Sequence, residues 1–293
     1  MRQRIVFCAL VAAMFWLSGC DLEDFGDANR YQAEFRETHP LPAGGRLYLE
    51  NFNGSIDISG WDQPTAEISG TKYASSQSAL DALKIDVVAS GDMLRVRSVR
   101  PSGHGGNMGV RYVIRLPKSA GLERIISSNG AIRVRDIDGA VRLETSNGAI
   151  ELNSTGGPAV VRTSNGRIEA SGVRHGLDAS TSNGRITAVL TNVEPGQNIR
   201  LQTSNGSVEL SLDRLDASNE VSVNTSNASI TLRMPPGLGA RITARTSNGR
   251  ITNEFDSVFQ GRSEKNRLEG TLGGGGTRIS LVTSNGSIRL LKR

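Results

Sequence analysis

Cysteine is close to absent from this sequence: the 293 residues hold only Cys8 and Cys20. That excludes a disulfide framework and a cysteine-rich metal site. Aromatic residues are scarce as well, with seven Phe, two Trp and four Tyr, which speaks against a helical bundle with a large aromatic core. From Gly121 to the end only Phe255 and Phe259 are aromatic, so the platforms on which sugar rings stack are missing there. Histidine occurs three times, at His39, His104 and His175, without the helical spacing of a metal pair. There is no Gly-x-Ser-x-Gly elbow, and Gly273–Gly276 lacks the Gly-Lys-Ser/Thr that completes a phosphate loop. The charge balance, 34 Lys and Arg against 29 Asp and Glu, is mildly basic without concentrated Lys/Arg stretches, so nucleic acid is not an expected partner. Nothing in these counts calls for a catalytic metal or a cofactor.

What the sequence has instead begins at its start. Arg2 and Arg4 precede an apolar run from Ile5 to Leu17, closed by Ser18, Gly19 and Cys20. The run is shorter than the roughly 20 residues a membrane-spanning helix needs and ends on small residues, so residues 1–19 read as a cleaved signal peptide. Leu17-Ser18-Gly19-Cys20 resembles the lipobox of bacterial lipoproteins, which implies acylation at Cys20, palmitate included, and a protein held to a membrane by its N-terminal lipid. Asp21 resembles the residue that retains many Gram-negative lipoproteins at the inner membrane, the outer membrane being the alternative. Residues 20–44, acidic at first and carrying Pro40 and Pro42, read as a tether. The expected address is the cell envelope, facing the periplasm.

Glycine is abundant, with 34 positions, and much of it is ordered. Ser-Asn-Gly recurs around Asn129, Asn147, Asn165, Asn183, Asn205, Asn248 and Asn285, and Ser226-Asn227-Ala228 is a degenerate copy. Successive asparagines are 18, 18, 18, 22, 22, 21 and 37 residues apart. The last gap spans about two periods and contains Asn266, so a degenerate or inserted coil is expected there. An early copy, Asn53-Gly54-Ser55-Ile56, follows Leu47-Tyr48-Leu49-Glu50.

Within one unit, Val141 and Leu143 before the turn and Ile150 and Leu152 after it alternate with polar residues, the period of two that marks a half-buried strand. Each unit is thus two short strands around a corner. Asn-Gly is also the strongest signal for a type I′ hairpin, which makes an antiparallel meander the rival arrangement. Recurrence of the whole block Thr-Ser-Asn-Gly favours contact between equivalent positions of successive units, as in stacked coils. The predicted fold is all-β, a single-domain parallel β-solenoid or β-helix of about 18 to 22 residues per coil. At ~4.8 Å per coil, the eight turn marks make a rod of about 38 Å. The eight asparagines are expected to form a structural ladder, amide on amide. Counting by twos from Leu143 through Thr145 to Asn147 turns that ladder inward.

Residues 45–120 are less periodic. Strands are predicted over 45–58, 65–73, 85–88, 93–99 and 110–116, a short helix over 76–83 with Ser76 or Ser78 as its cap, and a glycine-rich loop over 101–109. This region reads as the cap that hides a solenoid's terminal edge, continuous with the regular solenoid over 121–293 and not an independent enzyme.

Several segments together resemble the putative adhesin family of bacterial envelope proteins, related to the auto-transporter adhesin head domain. They are Gly45-Arg46-Leu47-Tyr48-Leu49 leading to Asn53-Gly54-Ser55-Ile56, Gly60-Trp61-Asp62, Gly91-Asp92-Met93-Leu94-Arg95-Val96, Val113-Ile114-Arg115-Leu116-Pro117, and Gly273–Gly276 followed by Ile279-Ser280-Leu281-Val282. The resemblance covers nearly all of the chain after the leader. It implies a β-solenoid at the cell envelope and supplies no catalytic residues.

The expected function is therefore non-enzymatic: a lipid-anchored envelope protein presenting an extended surface for adhesion, binding or structural contact. An envelope-stress or signalling accessory is the alternative, and requires a discrete partner surface. A polysaccharide-active β-helix enzyme requires acids converging in a groove around Asp136, Asp138 or Asp178. Asp136 and Asp138 stand beside Gly139 in a turn-rich context, which favours a role in turning the chain. Arg167, Arg185 and Arg250 each follow a turn asparagine by two and could line up against an anionic envelope polymer, but Ala131, Ala149, Ser207, Ser229 and Ser287 interrupt that column. The expected partners are the membrane and either an envelope protein or such a polymer.

Overall fold

The computed structural model describes residues 31–293 apart from His104; the leader, Cys20, Asp21 and the first part of the expected tether lie outside the described residues. The N-terminal part holds β1 (Tyr31–Pro40), β2 (Arg46–Asn53), β3 (Ile56–Trp61), β4 (Thr65–Ala74), α1 (Gln77–Ala82), β5 (Lys84–Ser90), β6 (Met93–Val99) and β7 (Met108–Pro117). Strands then come in twos around the Ser-Asn-Gly corners. They are β8 (Gly121–Asn129) and β9 (Ile132–Ile137), β10 (Val141–Thr145) and β11 (Ile150–Thr155), then β12 (Ala159–Thr163) and β13 (Ile168–Ser171). The series continues with β14 (Leu177–Thr181), β15 (Ile186–Leu190), β16 (Asn198–Thr203), β17 (Val208–Leu212), β18 (Glu220–Asn224) and β19 (Ile230–Met234). The C-terminal part adds β20 (Ala240–Thr246), β21 (Ile251–Asn253), β22 (Phe259–Ser263), β23 (Arg267–Leu272), β24 (Thr277–Thr283) and β25 (Ile288–Lys292).

The two strands of a coil belong to different sheets. One sheet runs β1-β4-β7-β3-β9-β11-β13-β15-β17-β19-β25-β21, the other β5-β6-β2-β8-β10-β12-β14-β16-β18-β24-β20-β23-β22. Neighbouring coils pair in parallel with equivalent residues side by side: Leu143 beside Val161 and Thr145 beside Thr163 on one sheet, Ile150 beside Ile168 on the other. This is a parallel β-solenoid. The rival meander fails because strands on either side of an Asn-Gly corner do not pair with each other.

Period-two alternation buries one face of the strands in the body of the stack between the sheets. Ile132, Ile150, Ile168, Ile186, Val208, Ile230 and Ile288 form one continuous buried column. The opposite sheet contributes Leu143, Val161, Ala179, Leu201, Val223 and Leu281. Each large aliphatic side chain in these columns is worth roughly 1.5 to 3 kcal/mol of burial. Aliphatic columns this regular account for the scarcity of rings.

At both ends the order along the stack departs from the order along the chain. β2 and β3 pair with β6 and β7 on one side and with β8 and β9 on the other, so the first coil sits inside the second. β24 and β25 pair with β18 and β19 on one side and with β20 and β21 on the other, so the last coil fills a gap between its two predecessors. Antiparallel strands cover the stack beyond these coils: β4 and β1 with β5 at the N-terminal end, and β23 and β22 at the C-terminal end. The predicted helix is α1, with Ser76 Oγ accepting from the Ala79 N–H at 3.2 Å.

Two expectations need correction. The stretch read as tether is partly sheet: β1 pairs along its whole length with β4, with Tyr31, Ala33 and Phe35 half-buried and the Phe35 ring edge-on to Tyr112 at 5.8 Å. The charged residues of this strand, Glu34, Arg36 and Glu37, are exposed. No coil forms around Asn266, which lies in the turn of the β22–β23 hairpin. Residues 45–120 are continuous with the stack, β2, β3, β6 and β7 being two of its coils.

Candidate functional surfaces

At each Thr-Ser-Asn-Gly corner the strand ends on the threonine, and the alternation ends with it. Thr145, Thr163, Thr181, Thr203, Thr225, Thr246 and Thr283 are buried, whereas all eight asparagines of the repeat are exposed. The ladder is therefore on the outside, against the expected inward column. Ser146-Asn147-Gly148 is a bend, and period two applies only to extended backbone.

The amides stack nonetheless. Nδ2 of Asn147 donates to Oδ1 of Asn129 at 2.8 Å, and the same bond joins Asn165 to Asn147, Asn183 to Asn165 and Asn205 to Asn183 at 2.7 Å. Asn227, Asn285 and Asn248 extend it at 2.8 Å each, in that spatial order. At the other end Asn129 donates to Asn53 at 2.7 Å, and Asn53 to the Met108 carbonyl at 3.0 Å. The result is a one-directional amide chain of nine side chains along one edge of the rod, spanning about 38 Å at ~4.8 Å per coil.

Behind it the threonine hydroxyls tie the corners together. Thr181 Oγ1 accepts from the Gly184 N–H at 3.2 Å and donates to the Gly166 carbonyl of the previous coil at 3.0 Å; Thr163 and Thr203 repeat the pattern. The corner glycines are required by close approach and not by backbone angle, for none of them has positive φ. A methyl on Gly166 would collide with the Gly148 carbonyl, and one on Gly184 with that of Gly166. The chain carries a methyl at this place once, at Ala228.

The opposite corner holds Asp136 and Asp138. Asp136, Ser154 and Gly172, one per coil, have φ of 55°, 56° and 65°, so the chain turns this corner through a left-handed residue, a conformation that Asp accepts more readily than Ser. With Lys118 and Arg174 they line a shallow notch of about 270 Å³. Asp138 is bonded to Arg174. Lys118 lies 3.0 Å from Asp62, and that hydrogen bond, with the charges of Asp62, Asp136 and Asp138, raises the lysine's pKa. Asp178 is not part of this corner; it stands on β14 of the other sheet, 3.8 Å from Arg162. The three acids considered for glycoside chemistry are thus not brought together.

The arginine column is broken in space as well. Arg167 is held between Glu151 at 3.1 Å and Glu169 at 2.7 Å. Between the coils of Arg185 and Arg250 lie those of Ser207, Ser229 and Ser287. Charges on this face alternate instead, Arg133 reaching Asp57 at 3.2 Å and Glu151 at 3.3 Å. Among the described residues no three of His, Cys, Asp and Glu are grouped as a metal site.

No protein-family model matches this chain, and no curated protein matches it in sequence. Solved structures similar to it include a putative adhesin from Bacteroides fragilis, 12% identical with a TM-score of 0.37, covering 88% of this chain and 97% of its own. A putative cell adhesion protein from Clostridium sporogenes is 12% identical with a TM-score of 0.29, covering 89% of this chain and 100% of its own. A putative adhesin from Parabacteroides distasonis is 9% identical with a TM-score of 0.29, covering 88% and 97%.

Proposed function

We propose that this chain is a non-enzymatic, lipid-anchored protein of the bacterial cell envelope whose solenoid presents an extended polar surface to a partner. The observation that carries the reading is the leader ending in Leu17-Ser18-Gly19-Cys20, whose basic start, short apolar run and small residues before a cysteine are what lipid attachment requires. The rod supports it from the other side. Its outer rows are amides and paired charges, and the carboxylates of the opposite corner are engaged by Lys118 and Arg174. Only residues 21–30 separate Cys20 from β1, at the N-terminal end of the stack. In the anchored protein that end faces the bilayer and the β20–β23 end points away.

Fractionation of cells expressing the full chain tests the anchor. The native protein is expected in the membrane pellet and resistant to high salt, and Cys20→Ser is expected in the soluble fraction; a Cys20→Ser protein that stays firmly in the pellet overturns the assignment.

A further inference from the structure

Near the far end of the rod the charge pattern changes. On most of the sheet that contains β24 and β20, cations are set against acids on the next strand: Arg97 lies 3.5 Å from Glu50, Arg124 3.1 Å from Glu144 and Arg162 3.8 Å from Asp178. On β24 and β20, Arg278 and Arg241 are direct register partners, an arrangement of like charges that is unfavourable in the absence of a counter-charge. The counter-charge present is thin. Glu220, on the other side of Arg278, reaches it only at 3.7 Å, and Arg241 has no ion-pair partner among the described residues. Four residues further along β20, Arg245 approaches Glu269 at 3.8 Å, but that carboxylate is held at 2.8 Å by Arg267.

Between these arginines lie two hydroxyls. Thr243 and Ser280 are register partners midway between the Arg241–Arg278 pair and Arg245, on the same outward face. With Glu220 they line an open trough of about 320 Å³, floored by Val221 and Ile279.

We propose that this trough binds a phosphate ester. The two side-by-side guanidinium forks of Arg241 and Arg278 donate to separate oxygens of the tetrahedral group, the Thr243 and Ser280 hydroxyls serve a third, and Arg245 closes the far side. A tetrahedral oxyanion has the oxygens to use all three sets of donors, whereas one fork already satisfies a carboxylate. The bound anion supplies the negative charge that Glu220, at 3.7 Å from Arg278 alone, gives the Arg241–Arg278 pair only in part. The site itself is independent of the anchor; only its placement at the end remote from the membrane rests on the lipoprotein reading.

Calorimetric titration of the purified lipidated protein in a neutral detergent tests this with three probes. Glycerol 3-phosphate represents a free ester, short-chain phosphatidic acid, likewise a monoester with three free oxygens, a lipid headgroup, and acetate a carboxylate. Saturable binding of either phosphate probe, about tenfold weaker in Arg241→Gln and in Arg278→Gln and unchanged in Arg142→Gln elsewhere on the sheet, supports the site. Tighter binding of the first probe assigns a soluble ester, and of the second a headgroup. Neither Gln variant is expected to lower the melting temperature, because each relieves a repulsion; Arg241→Lys, which keeps the charge without the fork, separates recognition from bulk electrostatics and should bind as weakly as Arg241→Gln. Binding equal to native in both Gln variants, equal binding of acetate, or no saturable binding overturns the proposal. The fractionation of Cys20→Ser tests the anchor alone, so the two readings fail separately.

Discussion

Threonine and asparagine share each Thr-Ser-Asn-Gly corner, and their side chains stabilise it unequally. Thr181 is buried and its hydroxyl serves two backbone groups, the Gly184 N–H and the Gly166 carbonyl. Replacing it with the isosteric valine leaves both without that partner in a place water does not reach, which costs about 1 to 3 kcal/mol. Asn183 bonds to Asn165 and Asn205 on the exposed edge, where water substitutes for a missing amide, so Asn183→Ala is expected to cost about 1 kcal/mol or less. Urea unfolding of the two variants checks the order, and a larger loss for Asn183→Ala would place the stabilising interaction on the outer ladder. The sequence shows that equivalent residues touch, because a block of four recurs and not merely a turn dipeptide. It does not show which of the four faces inward, since alternation counted from Leu143 holds only as far as Thr145, where the strand stops.

Individual strands were legible where one face is apolar and obscure where packing is one-sided. β6, β7 and the helix cap at Ser76 follow from pattern and capping chemistry. β1 does carry the signal, Tyr31, Ala33 and Phe35 in alternation, but it is an edge strand that follows an acidic start and runs into two prolines, Pro40 and Pro42, the features that read as a tether. Its Phe35 covers Tyr112 of β7, whose hydroxyl shares a hydrogen bond of 2.6 Å with Ser98 of β6. Burial pushes the Tyr112 pKa from 10.0 up to about 12, the bond to Ser98 opposing it. The unfolded chain releases this proton near pH 10 while the folded chain retains it, so Tyr112 contributes fully below pH 10 and its contribution is lost as pH rises toward 12. Between those limits the native protein is expected to lose about 2 to 3 kcal/mol more than Tyr112→Phe. Urea unfolding measured across that alkaline range reads the difference, and parallel curves for the two proteins would contradict it.

At the scale of the molecule, the period of 18 residues reveals a stack but not its order. The coils from β10 onward carry nearly the same corner, so one fits beside another, and nothing local marks β24 and β25 as neighbours of both β18–β19 and β20–β21. Removing residues 277–293 is therefore expected to raise hydrogen exchange on both sides of the gap, in 220–234 and in 240–253, while 141–190 stays protected. Faster exchange on one side only would mean that the last coil lies at the end of the stack. The same insertion at the N-terminal end has a mechanical meaning. A tug on a simple solenoid unwinds it from its free end, one turn at a time and at low force. Here, once the antiparallel edge strands have come away, the first and last turns are each tucked between two others. Pulling either out must shear hydrogen-bond ladders on both sides together, as with the tucked strands of a spliced rope.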